Sequence, residues 1–153
     1  MARIEASIEI AAPPATVFRY CHDLDRWPEW DERVVGVEPI TGKPIRTGSL
    51  IRIDAGRSGQ YLFTWDAEYL RYYMPTESAL RVLDAAPSSP FKTGTLTWRF
   101  EQSSRGTLFT IIWEYQPRGF LARIGDALGR RRATQGAIHR SLENVKNRIE
   151  SGE

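Results

Sequence analysis

The chain has 153 residues and a net charge of only +2, which is the size of one domain with a real core. Hydrophobic residues make up 41% and charged residues 26%, as in ordinary globular proteins. No apolar run approaches the roughly 18 residues of a membrane span, so no membrane-spanning helix is predicted. Met1–Ile10 alternates charged and apolar residues instead of forming the apolar core of a signal peptide, and we therefore expect a cytoplasmic protein.

The first thirty residues predict one strand and two short helices. Arg3–Ile10 alternates apolar and polar residues, the pattern of a half-buried strand. Pro14 suits the first turn of a helix that runs to about His22. The lone cysteine, Cys21, lies on the apolar face of that helix, so we expect a buried thiol. A second short helix should end near Trp30.

From Val34 onward the pattern is that of strands. Strands are predicted near Val34–Glu38 and over Ser49–Asp54, Tyr61–Tyr72 and Ser78–Leu83. The segment Ala85–Lys92 (AAPSSPFK) is predicted to be a loop over the mouth of whatever the sheet encloses.

The strongest local pattern predicts a hairpin between the last two strands. Closing it at Ser103–Gly106 places Phe100 opposite Phe109 and brings two further apolar pairs onto the same face. The two further pairs are Trp98 with Ile111 and Leu96 with Trp113. A slip of one residue would separate the apolar sets, so the pattern fixes the register.

The last segment, from Arg118 to Glu150, has the spacing of a long helix. Its apolar residues, three or four positions apart, are Leu121, Ile124, Leu128, Ile138, Leu142, Val145 and Ile149. Arg131 and Gln135 continue the same spacing, so an unbroken helix would aim both at the sheet. Alternatively, a kink at Gly129 would turn Arg131 outward, or the long arginine stem would reach solvent past the edge of the sheet.

The order of elements is strand, two short helices, six strands and a long helix, with no linker or repeat, so residues 1–153 are interpreted as one domain. With the segments IEIAAPPATVF (8–18), DLDRWPEW (23–30) and SLENVKNRIE (141–150), it resembles the START-like (SRPBCC) superfamily, in particular its polyketide cyclase/dehydrase and lipid-transport branch. The resemblance implies an α+β helix-grip fold: a curved antiparallel seven-stranded sheet around the last helix, with an apolar ligand cavity between them. Trp30 stands where such proteins often have a tryptophan.

Catalytic and metal-binding patterns are weak. His22 and His139 are the only histidines, and both are expected at the surface. His22 with Asp23 and Asp25 is more typical of a helix end than of a metal site, and no glycine-rich phosphate loop is present. We therefore predict no metal, no cofactor and no assigned catalytic residue.

Residues 118–150 carry eight Lys and Arg against three Asp and Glu. A basic helix can contact nucleic acid or an anionic membrane, but no nucleic-acid motif accompanies the charge. The expectation is a solvated outer face, with no nucleic-acid partner and no stable membrane insertion.

These features favour binding, and possibly transport, of a small hydrophobic ligand such as a lipid, polyketide or isoprenoid. The expected cavity residues are Trp30, Trp65, Tyr69, Trp98, Trp113, Arg131 and Gln135. The same strand aromatics could also pack a solid core. One alternative is a polyketide cyclase/dehydrase-type enzyme acting in the same cavity, and another is a protein-binding module that uses the basic helix face.

Overall fold

A computed structural model describes residues 1–152. Seven antiparallel strands form one sheet in the order β1-β7-β6-β5-β4-β3-β2, so the first strand pairs with the last. The strands are β1 (Ala2–Ile10), β2 (Val34–Pro39), β3 (Leu50–Arg57), β4 (Gln60–Tyr73), β5 (Glu77–Ala85), β6 (Phe91–Ser103) and β7 (Gly106–Pro117). The helices are α1 (Pro14–Cys21), α2 (Trp27–Trp30), α3 (Gly119–Gly125) and α4 (Arg131–Glu150), and a π-turn (Asp126–Arg130) joins the last two. This is the predicted α+β helix-grip architecture.

The predicted hairpin register is confirmed. In the β6–β7 ladder Phe100 faces Phe109, Trp98 faces Ile111 and Leu96 faces Trp113. Every one of these side chains is buried, because the alternation places all of them on the inner face of the sheet.

The core lies between that inner face and the helices α1, α2 and α4. From α1 it receives Val17, Phe18 and the predicted buried thiol of Cys21, and from α4 it receives Ile138, Leu142 and Val145. The spacing of these residues is that of one helix face, so the C-terminal half of the predicted stripe is confirmed.

The N-terminal half of the stripe does not pack on the sheet. Leu121 and Leu128 are 82% and 81% exposed, and α3 has no buried residue. In the π-turn the Arg131 N–H bonds to the Asp126 carbonyl, five residues earlier, and Gly129 has non-helical backbone angles. Such a bulge changes the phase of the residues on either side, so the expectation of one continuous helix is wrong.

Arg131 and Gln135 do not face the sheet as predicted, although they keep the spacing of Ile138 and Leu142 within α4. Both side chains are exposed instead of facing the concave sheet, and the Arg131 side chain is 48% accessible. The exposure of Arg131 is the outcome that both alternatives predicted. Arg130 and Arg132 are also exposed.

Candidate functional site

Aromatic rings from α1, α2 and the strands β4, β6 and β7 meet in the interior. This first aromatic cluster is defined by Phe18, His22, Trp30, Tyr69, Trp98 and Phe109. The ring centroids of Trp30 and Trp98 are 5.3 Å apart, and that of His22 lies 5.1 Å from Trp98 and 6.3 Å from Tyr69. The cluster therefore joins α2 to strands β4 and β6 in the centre of the interior.

Three polar atoms in this cluster are buried without a hydrogen-bond partner in residues 1–152. They are Trp30 Nε1, Tyr69 Oη and Trp98 Nε1, on side chains that are at most 3% exposed. Burial also raises the pKa of Tyr69, so its hydroxyl stays protonated and able to donate. An unpaired buried polar group costs about 1–3 kcal/mol, and three together are an unusual feature of an apolar core.

His22 was expected at the surface and is instead 7% exposed. Its Nδ1 lies 2.7 Å from the Phe18 carbonyl oxygen and its Nε2 lies 2.7 Å from Ser78 Oγ. A carbonyl only accepts, so Nδ1–H donates to Phe18 and the Ser78 hydroxyl donates to Nε2. Burial lowers the pKa of His22 to about 4, and the ring is neutral at pH 7. A sequence signal existed, because His22 follows Phe18 by four residues and so shares its helix face.

The other two predicted tryptophans belong to a second aromatic cluster, nearer α3. Its members are Phe63, Trp65, Phe91, Trp113 and Tyr115. The Phe91 ring stands edge-on to Trp65 at 5.6 Å and to Trp113 at 5.1 Å. All five predicted aromatic residues thus lie in the interior, in two neighbouring groups.

Polar contacts hold the end of the sheet to the π-turn and to the preceding loop. The Tyr115 hydroxyl donates to Asp126, and the Arg131 guanidinium donates to the same carboxylate at 2.6 and 2.8 Å. Burial and the bond to Asp126 raise the pKa of Tyr115 to about 12. Arg131, predicted to be the polar end of a cavity, therefore anchors the π-turn to β7.

Arg118 fastens the loop between β5 and β6. Its guanidinium donates to the carbonyls of Ala85 at 3.2 Å, Ser89 at 3.3 Å and Phe91 at 3.3 Å. This places the predicted loop beside the start of α3.

Two surface pockets lie away from these aromatic clusters. One of about 390 Å³ is lined by Glu29, Asn144, Asn147, Arg148 and Ser151. The other, of about 280 Å³, lies between α2 and the β3–β4 turn, beside Asp31 and Ser58. Neither contains a residue predicted to bind ligand.

Metal-ligating side chains do not converge in the described part of the chain. Across residues 1–152 there is no group of three His, Cys, Asp or Glu side chains placed to hold an ion. None of the helices in that range has the length and apolarity needed to cross a bilayer.

The fold and its aromatic interior can be compared with known proteins. A family model described as polyketide cyclase / dehydrase and lipid transport matches residues 1–150. The chain belongs to this family.

Among solved structures, TTHA0849 from Thermus thermophilus superposes with a TM-score of 0.80 at 18% identity, covering 99% of both chains. The Zhui aromatase/cyclase from a Streptomyces species has a TM-score of 0.72 at 16% identity, covering 97% of this chain and 95% of its own. One half of the di-domain aromatase/cyclase StfQ of steffimycin biosynthesis has a TM-score of 0.74 at 14% identity, covering 97% of this chain and 50% of its own. At these identities the likeness shows the fold alone. No curated protein sequence matches the chain.

Membership of the polyketide cyclase/dehydrase and lipid-transport family relates the aromatic interior to ligand binding. The fold is a ligand-binding fold of this family. In this member the interior carries unpaired donors on Trp30 of α2, Tyr69 of β4 and Trp98 of β6.

Proposed function

We propose that this protein binds an uncharged hydrophobic molecule that carries acceptor oxygens, within the first aromatic cluster. The observation that carries the proposal is the set of three unpaired buried donors, Trp30 Nε1, Tyr69 Oη and Trp98 Nε1. Ligand sites are mostly apolar with a few placed polar groups, and this interior has that composition.

The donors define the chemistry of the ligand. An indole N–H only donates and a phenol donates readily, so the matching ligand group is a ketone, ether or hydroxyl oxygen. Accepting these bonds would offset the cost of burying the donors.

The interior offers little to a charged ligand. The buried carboxylates are already bonded: Asp31 accepts from Trp27 Nε1 at 2.9 Å, and Asp126 from Arg131. His22 is neutral, so the buried cluster holds no free cation to match a carboxylate. Neutral oxygenated polyketides, isoprenoids or sterol-like compounds fit better than fatty-acid anions.

Trp65 and Trp113 extend the apolar wall from this cluster toward α3. We place ligand entry at that end, because α3 has no buried residue and is joined to the rest of the protein by polar contacts at Arg118 and the π-turn instead of by apolar packing. Arg131 and Gln135 lie outside this wall.

A pair of matched ligands tests the proposal. Fluorenone and fluorene share one ring system, and fluorenone has a ketone where fluorene has a CH2 group. Their binding can be measured by displacement of a dye that fluoresces in apolar surroundings. The Tyr69→Phe variant should weaken fluorenone binding about five- to ten-fold, the value of one hydrogen bond, and leave fluorene unchanged. Tyr73→Phe, at the 53% exposed end of the same strand, is the control.

Native mass spectrometry of gently purified protein gives an independent measure. A retained neutral compound with oxygen atoms supports the proposal. Absence of displaceable binding for both probes, with no retained compound, would refute it.

A second candidate function, cyclase/dehydrase-type catalysis, is favoured by the buried pair of His22 and Ser78. A neutral imidazole beside a hydroxyl can move a proton within a dry interior, as dehydration of a β-hydroxy ketone to an enone and water requires. The test is enone formation by mass spectrometry with wild type, His22→Gln and Ser78→Ala. Enone formation by wild type at the rate seen without protein would reject this candidate while leaving the binding proposal intact.

A further inference from the structure

Three large apolar side chains at the start of the last helical segment face water. Phe120 is 75% exposed, Leu121 is 82% exposed and Leu128 is 81% exposed. Scattered exposed apolar residues are ordinary, but three within nine residues form a patch, and such patches commonly mark an interaction surface. The expectation of a solvated outer face required the opposite face to be buried, and α3 buries none of its side chains.

Arginines interleave with these apolar residues. Arg123, Arg130 and Arg132 are exposed, and none makes an ion pair within residues 1–152. The two other arginines of the segment are already engaged, Arg131 with Asp126 and Arg118 with the loop carbonyls. The segment therefore presents a surplus of three positive charges beside its apolar side chains. We name Phe120, Leu121, Leu128, Arg123, Arg130 and Arg132 the basic apolar patch.

The patch is held in place from within the protein. The bonds of Arg118 to the β5–β6 loop fix its start, and the Tyr115–Asp126–Arg131 contacts fix its middle. At the same end of the sheet, the start of β4 exposes Tyr61 (57%) and Leu62 (51%), which adds apolar surface.

We propose that the basic apolar patch docks the protein on the surface of an anionic phospholipid bilayer. A helix with exposed Phe and Leu and flanking arginines lies in the headgroup region, with its apolar side chains in the acyl boundary and its cations at lipid phosphates. The positive charge of the patch favours a bilayer over a second copy of the chain as its partner. A two-fold contact between copies would bring two sets of three unpaired arginines together. Docking needs no ligand inside the protein and does not rest on the proposed function.

Co-sedimentation of the full chain with vesicles tests the proposal. Wild type should bind vesicles of equal parts phosphatidylcholine and phosphatidylglycerol and should not bind pure phosphatidylcholine. Binding should weaken as salt is raised, since salt screens charges at the headgroup surface.

Two patch variants should lose this binding. Arg123→Gln with Arg130→Gln and Arg132→Gln should weaken it about 100-fold, at roughly five-fold per arginine. Phe120→Ser with Leu121→Ser should weaken it at least ten-fold while keeping all the charges. All five positions are exposed, so circular dichroism and the melting temperature should match wild type.

The control removes the same charge elsewhere. Arg19, Arg46 and Arg105 are exposed and lie in α1, the β2–β3 loop and the β6–β7 turn. Changing these three to Gln should leave vesicle binding within about two-fold of wild type. Equal loss in the control, no binding of wild type to anionic vesicles, or a concentration-dependent dimer abolished by Phe120→Ser with Leu121→Ser would each overturn the proposal.

Discussion

Individual buried polar atoms give this interior its chemical character. Trp27 and Trp30 are both buried tryptophans of α2. The Nε1 of Trp27 donates to Asp31 at 2.9 Å and so has a hydrogen-bond partner. Trp30, three residues later, stacks on Trp27 with ring centroids 6.5 Å apart but has no acceptor for its own N–H. The indole N–H of Trp27 thus holds α2 in place, and that of Trp30 remains the donor that our proposal assigns to a ligand.

His22 makes stability depend on pH. Its folded pKa of about 4 lies below the ordinary value of 6.5, so the unfolded chain takes up the proton first as pH falls. The stability that the neutral ring contributes is complete above pH 6.5 and is lost as pH falls toward 4. The expected loss between pH 7 and 5 is about 2 kcal/mol, measured by urea unfolding at the two pH values.

The matched control for this prediction is His139, which is exposed on α4. His22→Gln should flatten the pH dependence of the unfolding free energy, whatever its effect on absolute stability. His139→Gln should retain the wild-type slope. An unchanged slope in His22→Gln would show that another group titrates.

At the scale of elements, the two halves of the last helical segment have different roles. In α4 the side chains of Ile138, Leu142 and Val145 pack into the core, and Lys146 Nζ donates to the Glu9 carbonyl of β1 at 3.0 Å. In α3 no side chain is buried, and the segment is tied to the sheet by polar contacts at Arg118 and the π-turn. Apolar burial therefore stabilises α4, and polar anchoring positions α3.

Alanine substitution of one isoleucine in each helix tests this difference in packing. Ile138 is fully buried, so Ile138→Ala should lower the free energy of unfolding by about 2–5 kcal/mol, from lost transfer energy and the cavity left behind. Ile124 is 40% exposed, and Ile124→Ala should cost no more than about 1 kcal/mol. Denaturant titration of both variants makes the comparison, and equal losses would mean that α3 packs as closely as α4.

At the scale of the whole molecule, the sheet brings the ends of the chain together. β1 pairs with β7 along its length, from Ala2 opposite Tyr115 to Ile10 opposite Thr107. The C-terminal end of α4 closes over the same strand, where Glu150 accepts from the Ala11 N–H at 2.9 Å. Contacts between residues about a hundred or more positions apart thus close the interior, while α3 remains at its edge.

Hydrogen exchange should reveal this division. Amides of residues 119–130 should exchange through local opening, because few apolar contacts hold the segment. Amides of β6 and β7, between buried aromatic clusters, should exchange only with global unfolding. Mass spectrometry of peptides from the two regions gives the comparison, and equal protection in both would contradict the picture of a weakly held α3.

The sequence by itself determined the strands, the seven-stranded helix-grip fold and the register of the last hairpin. Alternation predicts the strands, and partners that are neighbours along the chain, such as Phe100 and Phe109, fix the hairpin register, whereas the helix-grip fold was implied by the family resemblance. It also predicted that Trp30, Tyr69 and Trp98 lie inside, because strand alternation and the family resemblance point the same way. Their missing hydrogen-bond partners could not be predicted, since pairing depends on the positions of distant acceptors.

Only the tertiary structure decided the environments of His22 and Arg131. His22 is buried because Ser78, 56 residues away, supplies a partner for its Nε2. Arg131 is exposed and donates to Asp126, whose carboxylate also accepts from Tyr115 of β7 where the π-turn interrupts the helix. Helical periodicity carries no information about such long-range bonds, so a pattern read as one continuous stripe divides into a buried half and an exposed half.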